Sequence, residues 1–185
     1  MWLFRATGNE TYLDILSSEN NGGVRSMFSW DDKFFGVQLL VSKNDNPWAA
    51  YKENVDIFVC SVMQKAGDTN VPMSPGGMLW FQPWGNTQYI TSSMLVLSIY
   101  ADYLKAAGAT LECLGGNVRP KDLISFVTSQ VDYILSANPK NLSYMVGFGS
   151  SYPVQVHHRS ASIVSIKSNL KSIGCKSPSP PAMRL

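Results

Sequence analysis

His157 and His158 are the only histidines in the chain, and Arg159 follows them directly. On extended backbone, residues two apart share a face. His157 and Arg159 then point one way and His158 the other. An imidazole and a guanidinium on one face form a fork of hydrogen-bond donors suited to hydroxyls or to an anion. A solvated surface His-His-Arg is the competing reading. Metal binding fits poorly, because the adjacent histidines diverge and no Asp, Glu or Cys lies near them in sequence. Nucleophilic catalysis needs a serine or cysteine partner that the sequence does not locate. The stretch that carries these residues, Ser143 to Arg159 (SYMVGFGSSYPVQVHHR), contains aromatics, glycines and a proline but no carboxylate. No acidic residue follows Asp132.

A second cluster is aromatic. Gly76-Gly77-Met78-Leu79-Trp80-Phe81-Gln82-Pro83-Trp84-Gly85 places two indoles and a phenyl ring among glycines and a proline. Such a segment is hard to bury completely, and flat aromatic faces stack on the apolar faces of rings, sugars included. A third cluster is Phe28-Ser29-Trp30-Asp31-Asp32-Lys33. Its plain reading is a helix cap beside a packed tryptophan, with acids in the first helical turn. Asn138-Pro139 reads as a helix stop.

The elements that must hold these clusters are helices. Residues 1 to 18 read as a helix end, a turn at Thr7-Gly8-Asn9 and a short helix around Tyr12 to Leu16. Asn20-Asn21-Gly22-Gly23 is a loop. The next helix carries Phe35, Val37, Leu39, Leu40 and Val41 and stops near Ser42, and Asn44 to Pro47 is a turn. In a helix from Trp48 to Lys65, Tyr51, Val55, Phe58, Val59 and Val62 recur at three- and four-residue spacing, and Gly67 closes it. A long helix over Thr87 to Ala107 has the stripe Ile90, Met94, Leu97, Ala101 and Leu104, with Gly108 as C-cap. Pro120 opens a last helix whose apolar face is Leu123, Ile124, Val127, Val131 and Ile134. No strand alternation competes. Helical hairpins with long aromatic loops imply an all-α layered or toroidal architecture with function on the loops. The tail from Ser177 reads as extended and separate from the core.

Composition sets the outer bounds. The 185 residues are 45% hydrophobic and 15% charged, enough for a sizeable core. A net charge of +2 is too small to argue for nucleic acid. No run approaches the roughly 18 apolar residues of a membrane span, and MWLFRATGNE lacks the apolar core of a signal peptide. Cys60, Cys113 and Cys175 fit no zinc spacing. Cys60, on an apolar helix, reads as a buried thiol ahead of half a disulfide. Two sequons, Asn9-Glu10-Thr11 and Asn141-Leu142-Ser143, matter only in a secreted chain.

Several segments, in order, resemble plant glycoside hydrolase family 9, the endo-β-1,4-glucanases or cellulases. They are Trp2-Leu3 to Tyr12-Leu13, Trp30-Asp31 with Gly36-Val37-Gln38, and Pro75-Gly76-Gly77 with Trp84. They continue with Tyr100-Ala101-Asp102-Tyr103-Leu104, Gln130 to Leu135, Asn138-Pro139, Ser143 to Gly147, Val156 to Arg159 and Ser162 to Lys167. The resemblance implies an all-α fold, a partial (α/α)6 barrel of helical hairpins amounting to about half of the full barrel. It covers residues 1–175 as a partial catalytic domain, with 176–185 a divergent Ser/Pro-rich tail.

The function so implied is inverting hydrolysis of β-1,4-glucosidic bonds in cellulose or related glucans, with no cofactor and no metal. His157 and Arg159 match the family's His-x-Arg, which contacts the sugar beside the scissile bond. Trp84 matches a cleft tryptophan, and Trp30, Trp80 and Tyr144 are further substrate-binding candidates. The implied setting is the cell wall, although no signal peptide is evident. Departures are also plain. The family's base lies in an Asp-Ala-Gly-Asp motif that does not occur here, and its acid is a glutamate after His-x-Arg, where this chain has none. Ala137, Ser151 and Gln88 replace residues usual in the family. The expectation is therefore a chain inactive alone and prone to self-association through uncovered helical faces, with a non-catalytic glucan-binding remnant as the alternative.

Overall fold

A computed structural model describes residues 1–18, 22–42 and 49–154, together with 167, 170 and 171. His157, His158, Arg159, Trp48, Cys175, the 44–47 turn, most of Ser162 to Lys167 and the boundary expected after residue 175 lie outside the described residues.

Six α-helices follow one another: α1 (Trp2–Thr7), α2 (Thr11–Ser18), α3 (Phe34–Val41), α4 (Ala49–Val62), α5 (Asn86–Ala107) and α6 (Pro120–Ile134), with a 3-10 turn at Gly67–Thr69. The described residues contain no β-strand, only three isolated bridges. The helices pack as successive pairs, α1 on α2, α3 on α4 and α5 on α6.

Local chemistry explains the limits of most elements. Gly8 takes the left-handed conformation (φ 69°) and returns its N–H to Phe4, ending α1. The Asn9 carboxamide accepts the Thr11 N–H at 3.0 Å where α2 begins. Gly108 (φ 61°) ends α5. Pro120 opens α6 behind Arg119, whose backbone N–H reaches Asp122 Oδ2 at 2.9 Å while its guanidinium grips both carboxylate oxygens. Two expectations need correction. The helix from residue 49 stops at Val62 rather than near Gly67, because Gln64 already has a left-handed φ of 61°. Asp31 and Asp32 precede the first turn of α3 instead of occupying it. Asp32 Oδ1 accepts the Phe34 N–H at 2.9 Å, and Lys33 is the cap.

The main core lies between α3, α4, α5 and the start of α6. Every apolar position expected on α5 is buried, as are Tyr51, Val55, Phe58, Val59 and Val62 on α4. Tyr100 is fully buried, and its hydroxyl donates to Asp56. The Tyr100 phenol titrates well above its ordinary range, because burial and then the Asp56 carboxylate both disfavour the phenolate. α6 differs from expectation: Leu123 is buried, but Ile124 is 44% exposed. Ile124 faces an open groove beside Lys105 and Lys121. Cys60 also departs from expectation. It is not a free thiol but is bonded to Cys113, with the two Cα atoms 5.7 Å apart. The bond ties α4 to the loop between α5 and α6.

Candidate functional site

The loop between the 3-10 turn and α5 carries the two candidate indoles, and its backbone is held from two sides. Between Pro72 and Trp80 the chain doubles back, with Ser74 N–H bonded to Met78 O at 2.7 Å and Trp80 N–H to Pro72 O at 2.8 Å. Gly76 sits at the tip against the end of α6. A Cβ there would lie 2.6 Å from the Tyr133 hydroxyl and 3.1 Å from Pro139 Cγ, so a larger residue would have to displace the tip of the Tyr133 ring and crowd Pro139. From α6, Gln130 (3% exposed) reaches into this loop. Its Oε1 accepts the Leu79 N–H at 3.0 Å, and its Nε2 donates to Gly77 O at 2.9 Å.

At the first residue of α5, Asn86 does the corresponding work. Its Oδ1 accepts the N–H groups of Phe81 (2.8 Å) and Gln82 (3.2 Å), and its Nδ2 donates to Leu79 O at 2.8 Å. With its backbone satisfied in this way, the loop leaves its large rings outside. Trp84 is 75% exposed and Trp80 43%. Trp80 borders a groove of about 670 Å3 whose walls include Arg25, Met27, Ile57, Val71 and Phe81. Gln82 Nε2 contacts Met27 Sδ at 3.8 Å, joining the 22–33 segment to the tryptophan loop.

Trp30 lies on that same segment, at the tip of a turn. Ser29 is buried, its N–H bonded to Asp32 O at 3.1 Å, and its hydroxyl donates to Asp31 Oδ1 at 2.5 Å. That hydroxyl bond holds the Asp31 carboxyl below its ordinary range. Trp30 itself is 73% exposed, so the tryptophan is not packed beside the helix start as expected.

Tyr144 stands on a closed loop at the C-terminal end of α6, the end that Gly76 also approaches. Asn138 knits the turn before it: Nδ2 donates to Tyr133 O and Leu142 O at 2.7 Å each, and Oδ1 accepts from Lys140 and Leu142 N–H. Ser143 N–H bonds Ser151 O at 2.8 Å, and Tyr144 N–H bonds Ile134 O at 2.8 Å, pinning both ends of the 143–151 loop. Tyr144 meets Tyr133 edge-on at 6.2 Å. Partial burial, with Tyr133 beside it, raises the Tyr144 phenol. Since Tyr133 also touches Gly76, one residue of α6 links the Tyr144 loop to the tryptophan loop.

The structure thus connects the Trp80–Trp84 loop to Tyr144 through Tyr133, and to the Trp30 segment through Met27. No group of three or more His, Cys, Asp or Glu suited to a metal occurs among the described residues. Of the residues that set the loop geometry, the sequence marks Asn138 only as a helix stop and gives Gln130 and Asn86 no site role. Gln130 had a readable signal: it sits in the apolar stripe of α6, three residues after Val127 and four before Ile134.

The profile described as Glycosyl hydrolase family 9 matches residues 1–183. The chain belongs to this family. Among curated relatives it is 48% identical over 184 residues to Endoglucanase 15 of Arabidopsis thaliana, an alignment covering 94% of this chain and 37% of that protein. It is 50% identical over 189 residues to Endoglucanase 14 of Oryza sativa subsp. japonica, covering 95% and 37%. The chain therefore spans little more than a third of those relatives. Among solved structures, the endoglucanase CelQ of Clostridium thermocellum, crystallised with cellotriose, superposes with a TM-score of 0.69 at 28% identity, over 87% of this chain and 27% of CelQ. The cellulase Cel9M of C. cellulolyticum gives a TM-score of 0.64 at 26% identity, over 87% and 34%. The helical fold is accordingly a partial (α/α)6 barrel. Among the described residues no helix is long and apolar enough to cross a membrane.

Proposed function

We propose that this chain supplies one aromatic wall of a β-1,4-glucan cleft in a family 9 endoglucanase. The observation that carries the reading is the Trp80–Trp84 loop. Its backbone is fixed by Gln130 and Asn86 while Trp84 is left 75% exposed. An exposed indole on a fixed mount offers a flat apolar face on which a sugar ring can stack. Trp84, Trp80, Trp30 and Tyr144 are the proposed ring-stacking groups. His157 and Arg159 are the proposed donors to sugar hydroxyls beside the scissile bond. The glucan substrate is supported by the cellotriose held by CelQ.

Inverting hydrolysis needs an acid and a base whose carboxyl groups stand about 6.5–9.5 Å apart. The resemblance matches neither to an acid of this sequence. The chain alone is therefore expected to bind glucan without cleaving it, the activity belonging to the longer enzyme. The Cys60–Cys113 bond supports a folding route through an oxidising compartment and thence to the cell wall. Exposed Leu95, Leu114 and Ile124 support self-association of the isolated chain. The test is electrophoresis of the purified chain through gels with and without carboxymethylcellulose, with reducing ends assayed in parallel. Retardation without new reducing ends is expected. Unretarded migration contradicts the binding role, and release of reducing ends contradicts the inactivity.

A further inference from the structure

We propose that Asn141 is an N-glycosylation site. Asn141-Leu142-Ser143 is a sequon, and the fold presents its asparagine in an unusual way. Asn141 is exposed on the turn between α6 and the Tyr144 loop, with a left-handed φ of 48°. That turn is braced, because the Asn138 side chain bonds Lys140 before it and Leu142 after it, and Asn141 N–H bonds Asn138 O at 2.9 Å. Among the described residues the Asn141 carboxamide takes no part in this network, so a sugar on Nδ2 displaces none of its bonds.

The other sequon asparagine, Asn9, is also exposed, but its carboxamide oxygen is committed to the start of α2. The chemistry needs a secretory route, and the Cys60–Cys113 bond indicates one independently of any substrate. In the transfer, Asn141 Nδ2 loses one proton and bonds the anomeric carbon of an oligosaccharide, whose lipid pyrophosphate carrier leaves. Ser143, the hydroxyl residue of the sequon, is completely buried, and its hydroxyl is bonded to Met145. The reaction therefore belongs to the nascent chain, and the folded turn then holds the finished glycan in solvent.

The test expresses the full chain behind a heterologous secretion leader, so that it enters the secretory lumen, and maps its peptides after amidase deglycosylation in heavy-oxygen water. Conversion of Asn141 to heavy-oxygen aspartate is expected, and Asn141→Gly, which suits the left-handed backbone, should remove that signal while Cys60 and Cys113 still oxidise. An unconverted Asn141 peptide in the wild-type chain, whether or not Asn9 is converted, overturns the proposal.

Discussion

Replacing Gln130 with alanine isolates the link between the helical scaffold and the tryptophan loop. Gln130 is buried and makes two hydrogen bonds to the backbone of Gly77 and Leu79. Leu79 is fully buried, so its N–H would find no substitute partner, a loss of about 1–3 kcal/mol. Gly77 is only half-buried, and water can take over its carbonyl. Adding the net worth of the lost bonds, about 1 kcal/mol, the change should cost roughly 2–4 kcal/mol, a large share of the about 5–15 kcal/mol that holds an ordinary domain together. Urea unfolding followed by circular dichroism measures that loss, and hydrogen exchange at the Leu79 amide reports its origin. Gln130→Met restores most of the packing but not the acceptor, so Leu79 should exchange fast in both variants. Unchanged protection of Leu79 in Gln130→Ala, or a stability loss below about 0.5 kcal/mol, the range of an ordinary surface substitution, would refute the claim that Gln130 mounts the loop.

Paired Cys60→Ser and Cys113→Ser replacement opens a link between residues 53 apart in sequence, and the chain-entropy relation puts the loss at about 4 kcal/mol. Thermal unfolding with and without reductant should show it in the wild type and not in the double variant. Asp122 is held at a pKa of about 2 by the Arg119 guanidinium and by the Arg119 N–H. Its folded value lies below its unfolded one, so its contribution is present above about pH 4 and lost as pH falls toward 2. Asp122→Asn should flatten that part of the acid-unfolding profile, and an unaltered profile would contradict the assignment.

Local grammar announced the helices. The α5 stripe, Gly108 and Pro120 each act within a turn or two of chain, and their elements appear where expected. What required structure was long-range. Gln130 meets Leu79 across 51 residues, and Cys60 meets Cys113 across 53, and no periodicity reports such a pairing. The same limit explains Ile124. It continues an apolar stripe, but whether a neighbour covers it depends on what packs there, and among the described residues it faces an open groove. For the site, the sequence named the aromatic residues but not the amides that hold them. Exposure of Trp84 and Trp30 could be judged only once the backbone beneath them was placed.

The most direct test of the glucan-wall account is a calorimetric titration of cellohexaose into the purified chain and into its Trp84→Ala variant. The chain should bind saturably. Its variant should bind about 2- to 10-fold more weakly, as expected for removing one aromatic stacking contact, with unfolding midpoints matched because Trp84 contributes little to the core. Equal affinity in the two proteins, or no binding by either, would contradict it.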